Sequence, residues 1–187
     1  MGEPPDIGRF LSLVLRHRPD SIGLQLDPGG WIRVSDLLAA LQSSGTAIDS
    51  QQLAVVVAAD DKGRYVFSAD GLRIRASHGH SIPVDLGLQA VSPPQRLYHG
   101  TAQRFVPAIL EAGLLKGTRQ FVHLSADVTT AVAVGRRHGP PVVLAVDCPG
   151  MVETGSVFFR SDSSVWLVDH VPARFLAITA SQAPRQS

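Results

Sequence analysis

The sequence predicts an α+β protein with two lobes. Its first part carries apolar residues at helical spacing, followed by two short β-like runs around a turn, and its second part alternates strand and helix signals. Between these parts, residues 85–95 are rich in proline and glycine, a composition typical of a linker. We therefore predict one lobe over residues 1–85 and another over residues 96–180, with a frayed tail after Ala180.

The first lobe is predicted to contain three helices and a hairpin. The helix boundaries are indicated by Pro19 after the first helix, Ser35 and Gly45 around the second, and the capping box Asp49–Gln52 at the third. Residues 64–67 and 72–75 then flank a turn-forming Ser-Ala-Asp-Gly run, which is a hairpin signal. Three helices and a hairpin are typical of a winged-helix module, a shape that often binds nucleic acid, although shape alone does not establish function.

The second lobe is predicted to contain strands alternating with helices. The strands are predicted at residues 96–99, 121–124, 142–147, 165–168 and 175–179. One helix is predicted at residues 105–112, closed by Gly113, and another runs from its cap at Asp127 to about Arg137.

Charge and composition limit the kind of nucleic-acid contact this chain can make. The 187 residues carry a formal net charge of +1, so the chain lacks the basic excess that captures long nucleic acids. Residues 1–90 hold 8 basic and 10 acidic side chains, a balance of −2, and residues 91–187 hold 9 and 6, a balance of +3. Neither half is a basic arm, so any bound RNA is expected to engage a local site.

The single cysteine, Cys148, excludes an internal disulfide and indicates a reducing environment. Because it follows the apolar run at residues 142–147, we predict a buried, inert thiol rather than a nucleophile. No apolar stretch approaches the length of a membrane span, and the N-terminus lacks a signal-peptide core. We therefore predict a cytoplasmic monomer without membrane contact.

Three short clusters bring cationic side chains together. The clusters are Arg16–Pro19, Lys62–Arg64 and Thr118–His123. Arginine presents a rigid fork of donors that matches phosphate oxygens, and lysine adds a point charge, so the clusters predict a phosphate site. Each also has a plainer interpretation: the first can complement the dipole of the first helix, and the second can lie on a solvated turn.

Two predicted strands end in histidine-containing motifs, His99-Gly100-Thr101 and His123-Leu124-Ser125. Glycine lets a ligand approach the backbone, and the neighbouring side chains offer donors and acceptors, so the two strand ends are expected to share a cleft. His78 and His80 flank a glycine, but no third metal-ligand residue lies at suitable spacing, and no metal site is predicted. The chain has no nucleophile elbow, Walker loop or Rossmann glycine fingerprint.

Seven short motifs follow one another in register along the chain. They are Leu11–Pro19 with its Arg-His-x-Pro end, Gly30-Trp31, Lys62–Tyr65, Ile74–Ser81, Leu97–Thr101, Arg119–Ser125, and Val165–Leu167 with Val171-Pro172. In this order they resemble the RNA (tRNA) 2′-phosphotransferase family, from about Ile7 to about Ile178. Two positions depart from the family pattern, since Tyr65 stands in place of phenylalanine and His78 in place of glutamine.

The resemblance implies a transferase that removes an internal 2′-phosphate from RNA, typically at a tRNA splice junction, with NAD as co-substrate. In the family the 2′-phosphate displaces nicotinamide, which leaves an ADP-ribosylated RNA phosphate. The ribose 2″-hydroxyl then attacks the phosphorus and releases RNA together with ADP-ribose 1″,2″-cyclic phosphate. The family's C-terminal lobe is ADP-ribosyltransferase-like and binds NAD in a split β-sheet cleft, so the active site is expected between the lobes.

The resemblance also implies residue roles by matched position. The implied catalytic cations are Arg16, Lys62, Arg64 and Arg119. The implied contacts to the RNA phosphate are these four together with His17, Arg75 and His80. The implied NAD contacts are His99, Gly100, Thr101 and Ser125, and no metal is needed because arginines can stabilise phosphoryl charge. His99 and His123 both stay open as a general base.

Two other functions fit the same residues. An enzyme that stops halfway would cap terminal phosphates of nucleic acid with ADP-ribose, and a stable ADP-ribosyl product would identify it. A non-enzymatic nucleic-acid or NAD-binding module is the second alternative. It gives no reason for intact cations at Lys62, Arg64 and Arg119.

Overall fold

The computed structural model describes residues 6–179, and the chain divides into two compact units. The N-terminal unit contains the chain up to Leu88 together with the short segments Thr118–Gln120 and Ser161–Ser163. The C-terminal unit contains Gln89–Gly117, Phe121–Arg160 and the chain from Ser164 onward. The tail predicted to be frayed after Ala180 lies outside the described residues.

Within residues 6–88 the chain forms the three predicted α-helices. They are α1 (Ile7–Arg16), α2 (Val34–Ser43) and α3 (Ser50–Ala58). The capping box at α3 is confirmed, because Asp49 accepts a hydrogen bond from the Gln52 N–H while the Gln52 side chain accepts one from the Asp49 N–H. The expected cap at Ser35 is wrong: α2 already begins at Val34, and the Ser35 hydroxyl donates to Asp36.

The N-terminal unit also carries an antiparallel sheet. Its strands are β1 (Ile32–Arg33), β2 (Tyr65–Phe67) and β3 (Arg73–Ala76), in the order β1-β3-β2. Strands β2 and β3 form the predicted hairpin, whereas β1 is too short for an alternation pattern to reveal. Helices and sheet share one apolar core, whose fully buried members include Leu11, Leu15, Leu37, Leu41, Leu53 and Ile74.

The C-terminal unit is built from short strands and helices. In chain order its strands are β4 (Arg96–Ala102), β5 (Leu114–Leu115), β6 (Val122–Leu124), β7 (Pro141–Asp147), β8 (Phe158–Arg160), β9 (Trp166–Val168), β10 (His170–Val171) and β11 (Leu176–Ile178). Its α-helices are α4 (Val106–Ala112), α5 (Val128–Gly135) and α6 (Cys148–Glu153). The strands pair antiparallel in the orders β11-β7-β4, β6-β9-β8 and β10-β5.

Strand β4 connects the two larger sheets of this unit. It pairs along its whole length with β7. Beside β6, Tyr98 and Ser125 exchange both of their backbone hydrogen bonds, at 2.9 and 2.7 Å. The strand that carries His99 is therefore held on both edges, and its middle lies beside the end of β6.

The strands predicted for this unit are all present, with shifted ends. Strand β4 extends beyond its predicted end to Ala102. The helix expected to start at residue 105 starts at Val106, and α5 gives way after Gly135 to a 3₁₀ turn over Arg136–His138. Sequence patterns did not indicate β5, β8, β10 or α6, since elements of two to six residues contain too little periodicity.

A second apolar core fills the C-terminal unit. Its buried members include Leu97, Leu144, Val146, Met151, Phe158 and Trp166. Cys148 belongs to this core, and burial raises the pKa of its thiol to about 11, which confirms the prediction of a buried, unreactive cysteine. Across residues 6–179, no helix combines the length and the apolar character that crossing a membrane requires.

Candidate active site

The N-terminal unit gathers guanidinium groups from three separate segments. Arg16 is the last residue of α1, Arg64 immediately precedes β2, and Arg119 lies in the segment Thr118–Gln120. Burial, and then the charges of Arg64 and Arg119, lower the pKa of Arg16 to about 10 against an opposing influence of Tyr65. Arg16 thus lies close enough to be repelled by both Arg64 and Arg119, and the three residues are called here the arginine group. A multiply charged anion among them would relieve that repulsion.

Hydrogen bonds of the next residue, Gln120, hold the segment that carries Arg119 in place. The backbone N–H of Gln120 donates to the carbonyl of His80 at 3.2 Å, and its side-chain Nε2 donates to the carbonyl of Val84 at 2.9 Å. Arg119 itself is exposed. A fixed backbone with an exposed guanidinium is the arrangement that a phosphate-binding arginine requires.

Arg64 is oriented by a carboxylate that sequence reasoning overlooked. Asp60, whose side chain is only 2% exposed, accepts hydrogen bonds from the backbone N–H and from Nε of Arg64, the latter at 2.8 Å. Burial alone would lower the pKa of Arg64, but the Asp60 hydrogen bond and the nearby Tyr65 and Asp60 groups outweigh it and raise that pKa. Asp60 and Arg64 lie beyond the end of α3, so the four-residue helical spacing rule does not apply and their sequence positions alone do not indicate the pair.

Tyr65, which stands where the family pattern has phenylalanine, makes a hydrogen bond through its hydroxyl group. Its ring is buried, and its hydroxyl donates to the carbonyl of Gly8 in α1, a bond that phenylalanine could not make. The Arg64 guanidinium lies over the same ring, 5.5 Å from its centroid. Tyr65 therefore links α1 to the strand that follows the cationic turn.

That turn is Lys62-Gly63-Arg64. Gly63 has φ +55°, and a Cβ added to it would lie 2.7 Å from Cβ of Ser163, so both the backbone conformation and the available space require glycine. Lys62, just before it, is exposed. The carbonyl of Arg64, just after it, accepts a long hydrogen bond of 3.4 Å from the Arg16 guanidinium.

His17 lies next to the arginine group. Its Nδ1 is 2.9 Å from the hydroxyl oxygen of Ser81, a partner that sequence reasoning did not name. Partial burial, and then the charges of Arg16 and Arg119, lower the pKa of His17 below its ordinary value. The imidazole is therefore largely neutral near neutral pH and offers one donor and one acceptor beside the cations.

Arg75 has different surroundings from the arginine group. Its guanidinium stacks on Trp31 at 4.5 Å from the ring centroid and forms an ion pair with Asp162 at 2.9 Å. It also donates weakly to the carbonyls of Gly29 and Leu86, at 3.4 and 3.3 Å. Protein acceptors thus occupy donors on both terminal nitrogens of Arg75, whereas its Nε is buried without a hydrogen-bond partner among the described residues. The phosphate contact implied for Arg75 stays a prediction.

Two histidines near the arginine group are held neutral by their surroundings. His80 is 0% exposed, and among the described residues neither of its ring nitrogens has a hydrogen-bond partner. Burial, followed by the charges of Arg16 and His17, lowers the pKa of His80 to about 4. Burial, followed by the charges of Arg16 and Arg119, lowers that of His78 to about 3. A direct phosphate contact by the fully enclosed His80 therefore finds no support.

In the C-terminal unit the two histidine motifs lie together, as their positions at strand ends suggested. Nδ1 of His99 is 3.1 Å from the backbone carbonyl of His123. Since a carbonyl only accepts, Nδ1 of His99 carries a hydrogen. His99, His123 and Ser125 are each partly exposed and could meet a ligand.

Gly100 and Thr101 have a packing role in the structure, and the NAD contact implied for them stays a prediction. A Cβ on Gly100 would lie 1.7 Å from the carbonyl oxygen of Ala131, so the missing side chain makes room for α5 rather than for a ligand. Gly135, also in α5, approaches β4 closely too, because its Cβ would lie 2.7 Å from the carbonyl oxygen of Thr101. Thr101 itself is only 5% exposed.

Within the described residues, no group of three or more histidine, cysteine, aspartate or glutamate side chains is placed to hold a metal ion. The ionic chemistry that the structure does offer is the arginine group, with Lys62 and His17 beside it.

Comparison with known proteins gives a consistent result. Residues 3–170 match the model of a family described as RNA 2′-phosphotransferase, Tpt1 / KptA family. A protein of Agrobacterium fabrum named "Probable RNA 2′-phosphotransferase" is 55% identical over 175 residues, which cover 94% of each chain. Proteins with the same name from Hahella chejuensis and Nostoc punctiforme are 50% and 48% identical, over 91% of this chain and 91% and 94% of theirs.

Proposed function

Because the chain belongs to the RNA 2′-phosphotransferase, Tpt1 / KptA family, we propose that it removes a 2′-phosphate from RNA with NAD as co-substrate. The observation that carries the proposal is the arginine group, which collects Arg16, Arg64 and Arg119 from distant parts of the sequence. A phosphate monoester is the anion that such a group suits, since several guanidinium forks can share its oxygens.

The first chemical step transfers ADP-ribose to the RNA. A non-bridging oxygen of the 2′-phosphate forms a bond to C1″ of the nicotinamide ribose as the bond from C1″ to the pyridinium nitrogen breaks. The electron pair of that bond stays on nitrogen, so neutral nicotinamide leaves. For this step the arginine group must hold the phosphate in line with C1″, which is a positioning role.

The second step frees the RNA. The 2″-hydroxyl oxygen attacks phosphorus, the bond from phosphorus to the RNA 2′-oxygen breaks, and the hydroxyl proton ends on the released RNA 2′-hydroxyl. Charge on the phosphoryl oxygens must be stabilised throughout this displacement. We assign that task to Lys62, Arg64, Arg16 and Arg119, with no metal required.

We assign NAD binding to the C-terminal unit. His99 and Ser125 fit a polar ligand, since both are partly exposed. Gly100 and Thr101 would contribute through the shape of β4, because they are buried. When bound, NAD supplies the activated glycosidic bond that the phosphate attacks.

The proposal extends to fold and location. Three helices with an antiparallel sheet support a winged-helix assignment for the N-terminal unit. Two three-stranded sheets linked through β4 support an ADP-ribosyltransferase-like assignment for the C-terminal unit. A single cysteine, which excludes an internal disulfide, supports a cytoplasmic location, and we propose that the protein acts as a monomer on tRNA-like RNA.

The test is incubation of the protein with an RNA oligonucleotide that carries one internal 2′-phosphate, with and without NAD. We expect loss of the phosphate only with NAD, and release of nicotinamide in equal amount. Oligonucleotides with a 5′- or 3′-terminal phosphate are the matched controls and should stay unmodified. A stable ADP-ribosyl cap on those controls would favour the capping enzyme instead, and binding without turnover would favour a non-enzymatic module.

A further inference from the structure

Four side chains of the N-terminal unit form a hydrogen-bonded cluster behind the cationic turn. They are Ser77, His78, Ser161 and Ser163, called here the serine–histidine cluster. Nδ1 of His78 lies 2.9 Å from the hydroxyl oxygens of both Ser77 and Ser163, and Ser163 lies 3.1 Å from Ser161. Ser77 and Ser161 are 2% and 5% exposed, so most of these contacts are shielded from water.

The positions of the protons follow from the partners. The Ser77 hydroxyl lies 2.6 Å from the carbonyl oxygen of Gly63 and 3.3 Å from the hydroxyl oxygen of Ser163. Its single proton points to Gly63, because that contact is the shorter one and a carbonyl only accepts. Towards His78 the Ser77 oxygen can then only accept. The hydrogen of the neutral imidazole must therefore sit on Nδ1, shared between Ser77 and Ser163, which leaves Nε2 as an acceptor.

The surroundings keep this imidazole neutral. Burial is the largest cause that lowers its pKa, followed by the charges of Arg16, Arg119 and His80, against a small opposing influence of Asp60. With a pKa of about 3, His78 stays uncharged at every pH near neutrality. The Nδ1 hydrogen is thus a fixed donor and not a titrating one.

The serine–histidine cluster contacts the backbone of the Lys62-Gly63-Arg64 turn at three points. Besides the Ser77 hydroxyl on the Gly63 carbonyl, the Ser77 N–H donates to the carbonyl of Arg64 at 2.9 Å. The third point is steric, since Ser163 fills the space beside the Gly63 Cα. The Arg16 guanidinium reaches the same Arg64 carbonyl, so cluster, turn and arginine group share one network.

We propose that His78 is a positioning residue, which orders Ser77 and Ser163 so that they lock the Lys62-Gly63-Arg64 turn and aim its two cations at the RNA 2′-phosphate. The inference rests on the proposed function for its last part, the identity of the anion. The hydrogen-bond network itself is a property of this chain, whose His78 stands where the family pattern has glutamine.

The first experiment tests which ring nitrogen of His78 carries the hydrogen, and it needs no activity measurement. In a long-range ¹H–¹⁵N spectrum of the full-length protein, protonated and unprotonated ring nitrogens resonate far apart. His78, assigned by its loss in His78→Asn, should show a protonated Nδ1 and an unprotonated Nε2, unchanged from about pH 5 to about pH 8. The opposite tautomer, or titration near the ordinary histidine pKa, would overturn the proposal even if 2′-phosphate removal is established.

The second experiment tests the effect on the turn. Asparagine places an amide donor near the position of Nδ1, whereas leucine has none, so His78→Asn should retain most activity and His78→Leu should lose it. Ser77→Ala should behave like His78→Leu. For the impaired variants we expect kcat/KM for 2′-phosphorylated RNA to fall by about tenfold to a hundredfold, the range that a misplaced catalytic group produces, with KM for NAD unchanged.

The controls separate positioning from folding and from proton transfer. Ser43→Ala removes an exposed α2 hydroxyl that bonds the Ala39 carbonyl and should leave activity unchanged. Thermal unfolding checks that each variant is folded, and His78→Leu should keep the shape of the wild-type pH–rate profile. Equal loss in His78→Asn and His78→Leu, full activity in Ser77→Ala, or a missing limb of the pH profile would each refute the positioning role.

Discussion

The two units use their motif residues in different ways. In the N-terminal unit, Arg16, Arg64 and Arg119 are side chains whose charges influence one another, with supporting contacts that fix the backbone behind them. In the C-terminal unit, Gly100 is defined by the helix that packs on it. The arginine group is explained by the charges of its side chains, whereas Gly100 is explained largely by the lack of room for a side chain. A motif residue can therefore mark chemistry or packing, and only its contacts distinguish the two.

We expect the largest effect on stability from a substitution at Gly100, where packing leaves no room for a side chain. Gly100→Ala would drive a Cβ to within 1.7 Å of the Ala131 carbonyl oxygen, a backbone atom that cannot move without shifting α5. We expect a loss of stability greater than about 4 kcal/mol, which would leave little folded protein. Soluble yield and chemical denaturation would measure it.

The control for that substitution is Gly45→Ala, where nothing lies within 4 Å of an added Cβ and only the φ of +88° is unfavourable. It should cost about 1–2 kcal/mol. A stable Gly100→Ala protein with impaired NAD binding would contradict the packing explanation and restore the interpretation that the glycine admits a ligand.

Part of this arrangement could be predicted from sequence and part could not. The capping box at Asp49 depends on residues three positions apart at the start of a helix, so it could be predicted from the local sequence. The contact between His78 and Ser163 joins residues 85 positions apart. Nothing local to either residue indicates it, because such contacts depend on tertiary packing.

The same limit explains why two predicted site residues have surroundings that their motifs did not indicate. Arg75 and Arg64 look alike in sequence, but Arg75 stacks on Trp31 and pairs with Asp162, a residue distant along the chain. His80 stands in a polar motif yet is fully buried. The cationic character of the site was readable from composition, whereas which cations face a ligand was decided by tertiary contacts.

We expect the next largest effect, a loss of reaction rate, from a substitution in the arginine group. Arg119→Ala should slow 2′-phosphate removal by about 10²–10³, the loss typical of one donor that stabilises developing charge. The protein should stay folded, because Arg119 is exposed. Arg75→Ala is the matched variant, and it should reduce thermal stability more than it reduces the rate per folded molecule. If the two variants exchanged these behaviours, the assignment of the arginine group would be wrong.

Acid sensitivity should distinguish the histidines of the N-terminal unit. The folded-state pKa values of His80 and His78, about 4 and about 3, lie below the ordinary value of 6.5, so the unfolded chain binds protons that the folded one does not. The stabilisation is complete above about pH 6.5 and is lost as the pH falls towards 4. For His80 it amounts to roughly 3 kcal/mol.

His80→Leu should therefore remove about half of the acid slope in the free energy of unfolding, measured by denaturant titration at several pH values. His138→Gln changes an exposed histidine of the C-terminal unit and should leave the slope unchanged. An unaltered slope in His80→Leu would show that this imidazole is not held neutral in the folded protein.

The most direct test of the division between the two units is a single-turnover time course with a labelled 2′-phosphate. We assign phosphorus chemistry to Lys62 and Arg64 and NAD binding to residues such as Ser125. Lys62→Ala and Arg64→Ala should therefore accumulate ADP-ribosylated RNA, because cleavage at phosphorus needs their charge more than ADP-ribosyl transfer does. Ser125→Ala should raise the NAD concentration required and accumulate nothing. If Lys62→Ala and Arg64→Ala only slow the first step, with no intermediate at any time, the division is contradicted.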